Sequence, residues 1–294
     1  MPVVVTGASG FIGRRAVAAF AGTSPEVRAY IRRRDRAGEL QSIGAKVATG
    51  SIFDVDTLEA VMRDAHTVCH LVGGLFLPDE GAYREANLGS VQAVLEAASR
   101  AEVRRILFLS SPSASGEATN AYLRFKGMAE DAVRGSGLEH VIVRTTHVYG
   151  PGGQWLEIIR SLAMRWPPVV VGSGRQIVAP VLVDDVAAVL AAADDRRRVR
   201  SGTWGLEGPD RLSAVRLAEL FSGGRRLRLH LPPASGARLA RLTGTSSRTA
   251  LELLASDCVA DEPDAAAEFG VVRTQLSEGL ARSGVTRGPV AEPE

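Results

Sequence analysis

The chain has 294 residues, of which 45% are hydrophobic and 23% charged, a balance that excludes a disordered polymer and suits one large or two small folded domains. The 35 Lys and Arg residues against 33 Asp and Glu leave a net charge of +2, too weak a field to hold nucleic acid or an anionic membrane surface. Cys69 and Cys258 stand far apart with no histidine cluster near either, which excludes a disulfide framework and a cysteine-rich zinc site and fits a reducing compartment. The N-terminus starts a strand at once, and the most apolar stretch, Ile177–Ala193, is interrupted by Asp184 and Asp185, short of the roughly 20 apolar residues of a membrane span. A cytoplasmic protein with a small-molecule partner is the expectation.

In chain order, Val3–Thr6 predicts a strand and Ile12–Phe20 a helix, with Gly7, Ser9, Gly10, Phe11, Ile12 and Gly13 between and at their junction. Glycines at 7, 10 and 13 between a strand and a helix form a dinucleotide-binding turn. The first allows the tight bend, the second the approach of a pyrophosphate, and the third close packing of helix on strand. The next strand, Val27–Ile31, runs into Arg32 and Arg33 where an acidic residue would select a ribose 2′-hydroxyl. A guanidinium there grips a 2′-phosphate, so the expected cofactor is NADP(H). Arg14 and Arg15 are weaker candidates for the same contact.

A helix over Arg36–Ile43, a strand over Lys46–Ala48, a helix over Asp56–Arg63 and a strand over Thr67–Leu71 follow, then a helix over Tyr83–Ser99 and a strand over Arg105–Ser110. Asn120 is placed to cap a helix over Tyr122–Arg134, on which Tyr122 and Lys126, four apart, share one face. Val141–Arg144 predicts another strand. Apolar strands alternating with helices make this an α/β fold, a Rossmann-type doubly wound parallel sheet. Residues 1–150 would form the NADP(H)-binding core. From 151 to 285 Gly and Pro punctuate shorter elements, read as a smaller C-terminal substrate lobe with some elements returning to the core; 286–294 would be a frayed tail. Asp184 and Asp185 are expected to cap the helix that follows them. Arg196–Arg198 with Arg200, and Arg225–Arg226 with Arg228, read as solvated turns.

Taken in order, Thr6–Gly13, Asn87-Leu-Gly-Ser, Phe108–Ser111, Tyr122–Lys126, Arg144-Thr-Thr-His-Val-Tyr-Gly-Pro151 and Val183-Asp-Asp-Val-Ala187 resemble the short-chain dehydrogenase/reductase superfamily. Within it the chain looks most like the extended and atypical branches, with NmrA-like proteins and the NADPH-holding accessory subunit of respiratory complex I. The resemblance implies Tyr122 as proton donor to a carbonyl oxygen, Lys126 as the group holding the nicotinamide ribose, and Ser111 as the carbonyl's hydrogen-bond partner, with Ser113 in reserve. It puts Ser51 where an aspartate commonly meets adenine, Val72 and Gly73 in the cofactor turn, and His147 at a substrate contact. Asn87 lies on a helix flanking the site in relatives, though a buried packing amide is the better account of it. Tyr149, Trp155 and Trp166 are candidates for an aromatic pocket wall.

Chemically, an ammonium near a phenol of pKa about 10 stabilises the phenolate and makes the phenol a better acid when hydride arrives on a carbonyl carbon. The expected activity is NADPH-dependent reduction of a carbonyl on a small or medium organic molecule, with cyclic, aromatic and polyketide-like ketones included because the short Pro112–Ala121 connection leaves the nicotinamide side open. Two other readings stand beside it: a non-catalytic NADP(H)-binding sensor or structural protein, and a reductase in which the substrate's own groups supply the proton in place of Tyr122. Epimerisation and dehydration run on the same fold.

Overall fold

The computed structural model describes residues 1–195, 201–224, 227–235 and 247–284. The arginines at 196–198, 200, 225 and 226 and the expected tail at 286–294 lie outside the described residues. Arg228 pairs with Glu219.

Seven parallel strands form the central sheet in the order β11-β6-β5-β4-β1-β2-β3. They are β1 (Val3–Thr6), β2 (Val27–Ile31), β3 (Lys46–Thr49), β4 (Thr67–His70), β5 (Arg105–Ser110), β6 (Glu139–Thr145) and β11 (Gly202–Leu206). The fold is Rossmann-like and doubly wound, and every residue of β1, β4 and β5 is buried, as both faces of a helix-covered parallel sheet require. The period of two is visible in the packing. Val3, Val5, Leu107 and Leu109 meet α1 (Phe11–Ala21), α2 (Ala37–Ser42) and α8 (Val183–Ala193) on one face. On the other face Val4, Ile106 and Phe108 meet α3 (Val55–Met62), α5 (Ser90–Arg100) and α6 (Ala121–Gly135).

A third core cluster is built from Tyr149, Trp155 and Leu156 to Leu280. Short paired strands carry it: β7 (Val148–Tyr149) with β10 (Val181–Leu182), β8 (Val169–Val171) with β13 (Leu229–Leu231), and, antiparallel, β9 (Ile177–Val178) with β12 (Leu212–Ser213). Helices α7 (Gln154–Ala163) and α9 (Ala214–Ser222) pack over them. Among the described residues no helix is long and apolar enough to cross a membrane.

Two local expectations are corrected. The single helix over Tyr83–Ser99 is instead α4 (Glu80–Arg84), a π turn over Glu85–Gly89, and α5. Side chains compete for the backbone there: Ser90 Oγ donates to Ala86 O at 2.6 Å and Asn87 Nδ2 to Tyr83 O at 3.0 Å, the kind of local bonding that loosens a helical ladder. Asp184 and Asp185 do not cap α8, whose N-cap is Leu182 with no side-chain bond. They sit inside the first turn, so Asp184 reaches Arg15 at 3.4 Å, while Asp185 accepts from Thr274 N at 2.7 Å and Thr274 Oγ1 at 3.0 Å.

Candidate functional site

The strand order reverses direction between β1 and β4, and the crevice beyond the carboxyl ends of those strands is where doubly wound sheets bind ligands. Gly7 turns the chain there with φ +70°, and a Cβ on it would lie 2.9 Å from the Leu71 carbonyl group. At Gly13 a Cβ would come within 2.2 Å of Gly7 O, so only glycine lets α1 pack this close to β1. Gly10 is the N-cap of α1 and offers no side-chain bond to the helix, leaving the first N–H groups of the helix for an anion. Ser9 is half-buried beside it. The Phe11 ring packs toward Gly153, where a Cβ would meet it at 2.8 Å, and Ile12 packs on the sheet core. Both therefore present backbone N–H groups, not side chains, to the crevice. These residues fit a dinucleotide's pyrophosphate.

Arg32 and Arg33 follow β2 and are exposed. Arg33 lies 3.6 Å from Asp35, whereas the Arg32 guanidinium has no ion-pair or hydrogen-bond partner among the described residues. Arg14 and Arg15 are engaged by Glu39 and Asp184, each at 3.4 Å. Past β3, exposed Ser51 accepts Phe53 N on its Oγ at 3.2 Å and the Tyr30 phenol on its carbonyl at 2.9 Å. Past β4, Val72 is half-buried, and a Cβ on Gly73 would stand 2.9 Å from Asn87 Oδ1 and 3.4 Å from Lys126 Nζ. The turn, the buried amide of the π segment and the lysine thus converge.

Asn120 caps α6, accepting Leu123 N at 3.5 Å. In its first turn, Tyr122 is half-buried, near enough to Ser111 for the serine hydroxyl to favour its phenolate, and edge-on to Tyr83 with ring centres 6.3 Å apart. Lys126 is only 6% exposed; its Nζ donates to Leu109 O at 2.9 Å and lies 4.8 Å from the centre of the Phe108 ring. Burial pulls the Lys126 ammonium down to about 8, opposed by Glu130 one turn on. The expected lowering of the Tyr122 pKa is not what the surroundings produce. Burial pushes the phenol above its ordinary value, and the Ser111 hydroxyl offsets this only in part. Tyr122 is therefore a proton-bearing group through the neutral range.

Ser111 and not Ser113 meets Tyr122; Ser113 is exposed in a left-handed backbone conformation, φ +61°. Ser110 Oγ, at the end of β5, is buried without a hydrogen-bond partner among the described residues. Gly127 explains the course of the short connection after Ser111. A Cβ on it would lie 2.2 Å from Ser115 C, and a Cβ on Gly116 would meet Met128 and Asp131. Positions 127, 128 and 131 occupy the side of the helix opposite 122 and 126, so the segment folds away from the Tyr122 face.

Sequence reasoning missed two neighbours. His70 bridges Thr6 Oγ1 at 2.8 Å and Ser90 Oγ at 3.2 Å, stacks on Phe108 and is pushed down to about 3 by burial, so it is neutral. Cys258 lies within electrostatic range of Tyr122, and the backbone N–H of His147 faces its sulfur. A histidine closing an apolar strand was the available signal for the first; nothing local marks the second, which comes from the far end of the chain.

In the C-terminal half, His147 and Trp155 are brought together, stacked with ring centres 4.5 Å apart and both walling a small cavity. Burial pushes His147 down to about 4. Tyr149 does not line that cavity; it is fully buried in the third core cluster, its phenol against Gly279, where the missing side chain makes room. Trp166 is 73% exposed and does not line it either.

Comparisons with known proteins agree with this geometry. The NAD(P)H-binding family matches residues 7–162, more than half of the chain. A ceramide reductase of Caulobacter vibrioides is 32% identical over 190 residues, 65% of this chain and 60% of that protein. A 4-hydroxy-2-methyl-3-oxo-4-farnesyl-3,4-dihydroquinoline-1-oxide ketoreductase of Stigmatella aurantiaca is 24% identical over 221 residues, 67% of this chain and 65% of that one. NADH dehydrogenase [ubiquinone] 1 alpha subcomplex subunit 9 of Arabidopsis thaliana is 28% identical over 228 residues, 74% and 56% of the two chains. The chain thus spans less than two thirds of the length of each of these relatives. Among solved structures, the NADPH-dependent quinone oxidoreductase QOR2 of Escherichia coli, complexed with NADPH, superposes with a TM-score of 0.78 over 95% of this chain and 98% of its own, at 18% identity. With its glycine turn, its sheet order and the match over residues 7–162, the chain belongs to the NAD(P)H-binding family.

Proposed function

We propose that the protein is a cytoplasmic NADPH-dependent reductase acting on a carbonyl group of a small or medium organic molecule, cyclic ketones included. What supports this is Lys126 Nζ beside the Gly73 turn, with Tyr122 four residues earlier on the same helix and Ser111 next to it. NADPH, when bound, supplies the hydride. In this reading residues 1–150 hold the cofactor and 151–285 the substrate, Ser111 orients the carbonyl oxygen, and protonated Tyr122 delivers the proton to it. Two free cysteines, Cys69 buried and Cys258 half-buried, accord with a reducing compartment. NADPH oxidation followed against a panel of cyclic, aromatic and aliphatic ketones tests the reading. Absence of turnover across the panel, with tight NADPH binding, would favour a sensor or structural role, the reading to which the complex I subunit relative lends support.

The Arg32 guanidinium, without a partner among the described residues and placed just past β2, supports NADP(H) over NAD(H). A charge-assisted contact to a 2′-phosphate contributes roughly 1.5–3 kcal/mol, about one to two decades in affinity. Fluorescence titration is expected to show that preference, and Arg32→Ala to shrink it to a few-fold; equal wild-type affinity for the two cofactors would refute it.

Lys126 gives a pH dependence with a definite sign. Its ammonium is held near 8 instead of its ordinary 10.5, so it is charged below that value and loses its charge as pH rises through it. Affinity for NADPH and kcat/KM are expected to fall above about pH 8 in the wild type. Lys126→Met is expected to be weak at every pH and to lack this limb; a flat wild-type profile from pH 7 to 9.5 would contradict the assignment.

A further inference from the structure

Tyr83 is fully buried on α4, and its phenol does more than fill space. A phenol has one proton to give and two lone pairs with which to accept, and here all three are used. The proton goes to Leu75 O at 2.7 Å, and the oxygen accepts Leu77 N at 3.3 Å. Because that proton is spent on Leu75, the serine is the donor in the contact with Ser247 Oγ at 3.0 Å. Leu75 and Leu77 lie on the turn that continues from Gly73, whose backbone faces Lys126 Nζ. Among the described residues, 73–78 make no hydrogen bond to other backbone. Side chains shape the turn instead: Asn87 accepts Gly74 N at 3.4 Å and donates to Gly74 O at 3.5 Å, and Tyr83 binds the next two points. The Tyr83 ring also meets the Tyr122 ring edge-on, 6.3 Å between centres. Ser247 opens the helix Arg248–Leu254 and caps it, accepting Ala250 N at 3.4 Å. That helix is held at the start of α6 as well, where Asn120 Nδ2 donates to Thr249 O at 3.1 Å and to Glu252 Oε2 at 3.2 Å. A phenylalanine would fill the same space and keep the ring contact. What it would lose is the set of bonds that joins the cofactor turn to the C-terminal helix.

We propose that Tyr83 is a positioning residue: its phenol holds the 75–77 segment of the cofactor turn and the Ser247 end of the C-terminal helix to the ring that braces Tyr122, so that proton donor and cofactor turn keep one fixed spacing. The role deepens the reductase reading and rests on it for its kinetic consequence. Tyr83 is not a second proton source, since its proton is held by Leu75 O. It acts through Tyr122 and the turn. A turn without backbone bonds of its own depends on each side-chain bond it receives, so the loss of one hydroxyl is felt there first. Misplacing a reacting group by about 1 Å costs on the order of 10²-fold in rate, and a smaller displacement is expected to cost about tenfold.

The test compares the full chain with Tyr83→Phe at a temperature where both are folded. Without cofactor, hydrogen exchange over 73–78 is expected to speed up about tenfold or more in the variant, with exchange in β5 unchanged. The Kd for NADPH is expected to rise about fivefold. With NADPH and a ketone that the wild type reduces, kcat is expected to fall about tenfold while the ketone KM changes less than about twofold. In the Tyr122→Phe background the same substitution is expected to lower kcat less than about twofold, because a misplaced donor costs nothing once the donor is gone. A residue that serves only stability would show neither the split nor this dependence on Tyr122. Ser247→Ala is expected to lower kcat about threefold, and Ser247→Thr, which keeps the hydroxyl, to retain the wild-type value. Unchanged exchange over 73–78, unchanged NADPH affinity, near-normal kcat in Tyr83→Phe, or a full loss that persists in the Tyr122→Phe background would each overturn the proposal. Should Tyr83→Phe fail to fold, the Ser247 pair decides: equal kcat in Ser247→Ala and Ser247→Thr overturns it. If the wild type reduces no ketone, the reductase reading falls alone, and the exchange and NADPH titrations still decide whether Tyr83 holds the turn.

Discussion

Tyr122→Phe is expected to lower ketone-dependent NADPH oxidation by about 10²-fold or more, the scale of a positioned general acid, with little change in NADPH affinity. The substitution removes one hydroxyl from a ring held edge-on to Tyr83 on a capped helix, so the ring and its packing persist and only the proton is lost. Because burial raises the phenol above its ordinary pKa, the proton is present throughout the neutral range, and the variant's defect should be constant from pH 6 to 8. Stopped-flow and steady-state rates separate this from a binding defect, since a transition-state contact lowers kcat and kcat/KM together. Near-normal turnover in the variant would move the proton source to the substrate itself.

Glu130→Ala is expected to cost about 3–5 kcal/mol of stability, the usual penalty for stripping the partner from buried charges. Glu130 is fully buried; its carboxylate accepts Arg144 Nε at 2.9 Å, Arg144 Nη2 at 2.7 Å and Arg134 Nη2 at 2.7 Å. Arg144 in turn donates to Glu262 at 2.6 Å and to Ala114 O at 2.9 Å. Deletion leaves two guanidinium groups facing one another without the anion between them. It also frees the segment after Ser111 that Arg144 holds by Ala114. A fall in the unfolding midpoint on the order of 10 °C follows for a chain of this size, with a smaller fall for Glu130→Gln, which keeps an acceptor. A loss below about 1 kcal/mol in denaturant titration would show that Glu262 alone satisfies Arg144.

The sheet was legible because its strands are short apolar runs with helices between them, a pattern whose physical cause, burial on both faces, leaves its mark on every residue of β1, β4 and β5. Gly7 and Gly13 were legible for a related reason: Gly7 carries the left-handed bend of the turn, φ +70°, and a Cβ on Gly13 would meet the Gly7 and Ala8 backbone a few residues away, so each constraint is visible locally even though Gly7 also packs on Leu71. Tyr122 and Lys126 declared themselves by helical spacing. Their electrostatics did not, because whether the lysine stabilises the phenolate depends on what surrounds each group, and Leu109 O holds the lysine while burial governs the tyrosine. Tyr149 shows the same limit from the other side. An aromatic after a predicted strand can face a cavity or a core, and Gly279, more than a hundred residues on, decides which. Asp184 and Asp185 had the composition of caps but not the position, one turn's geometry being beyond the resolution of periodicity.

The π turn at Glu85–Gly89 has a consequence for how this chain tolerates change in length. A π turn holds one residue more than an α turn, and each residue of an α-helix advances the side chains by about 100°. Because the wide turn absorbs its extra residue, the segments on either side keep the rotational phase of a regular helix. Losing that residue would restore an α turn and leave Tyr83 on Leu75 O and against the Tyr122 ring; what it would move is Asn87, which stands on the wide turn and faces Gly73. A deletion on either side of the turn has the opposite effect, since in regular helix one residue fewer rotates Tyr83 by about 100° relative to Ser90.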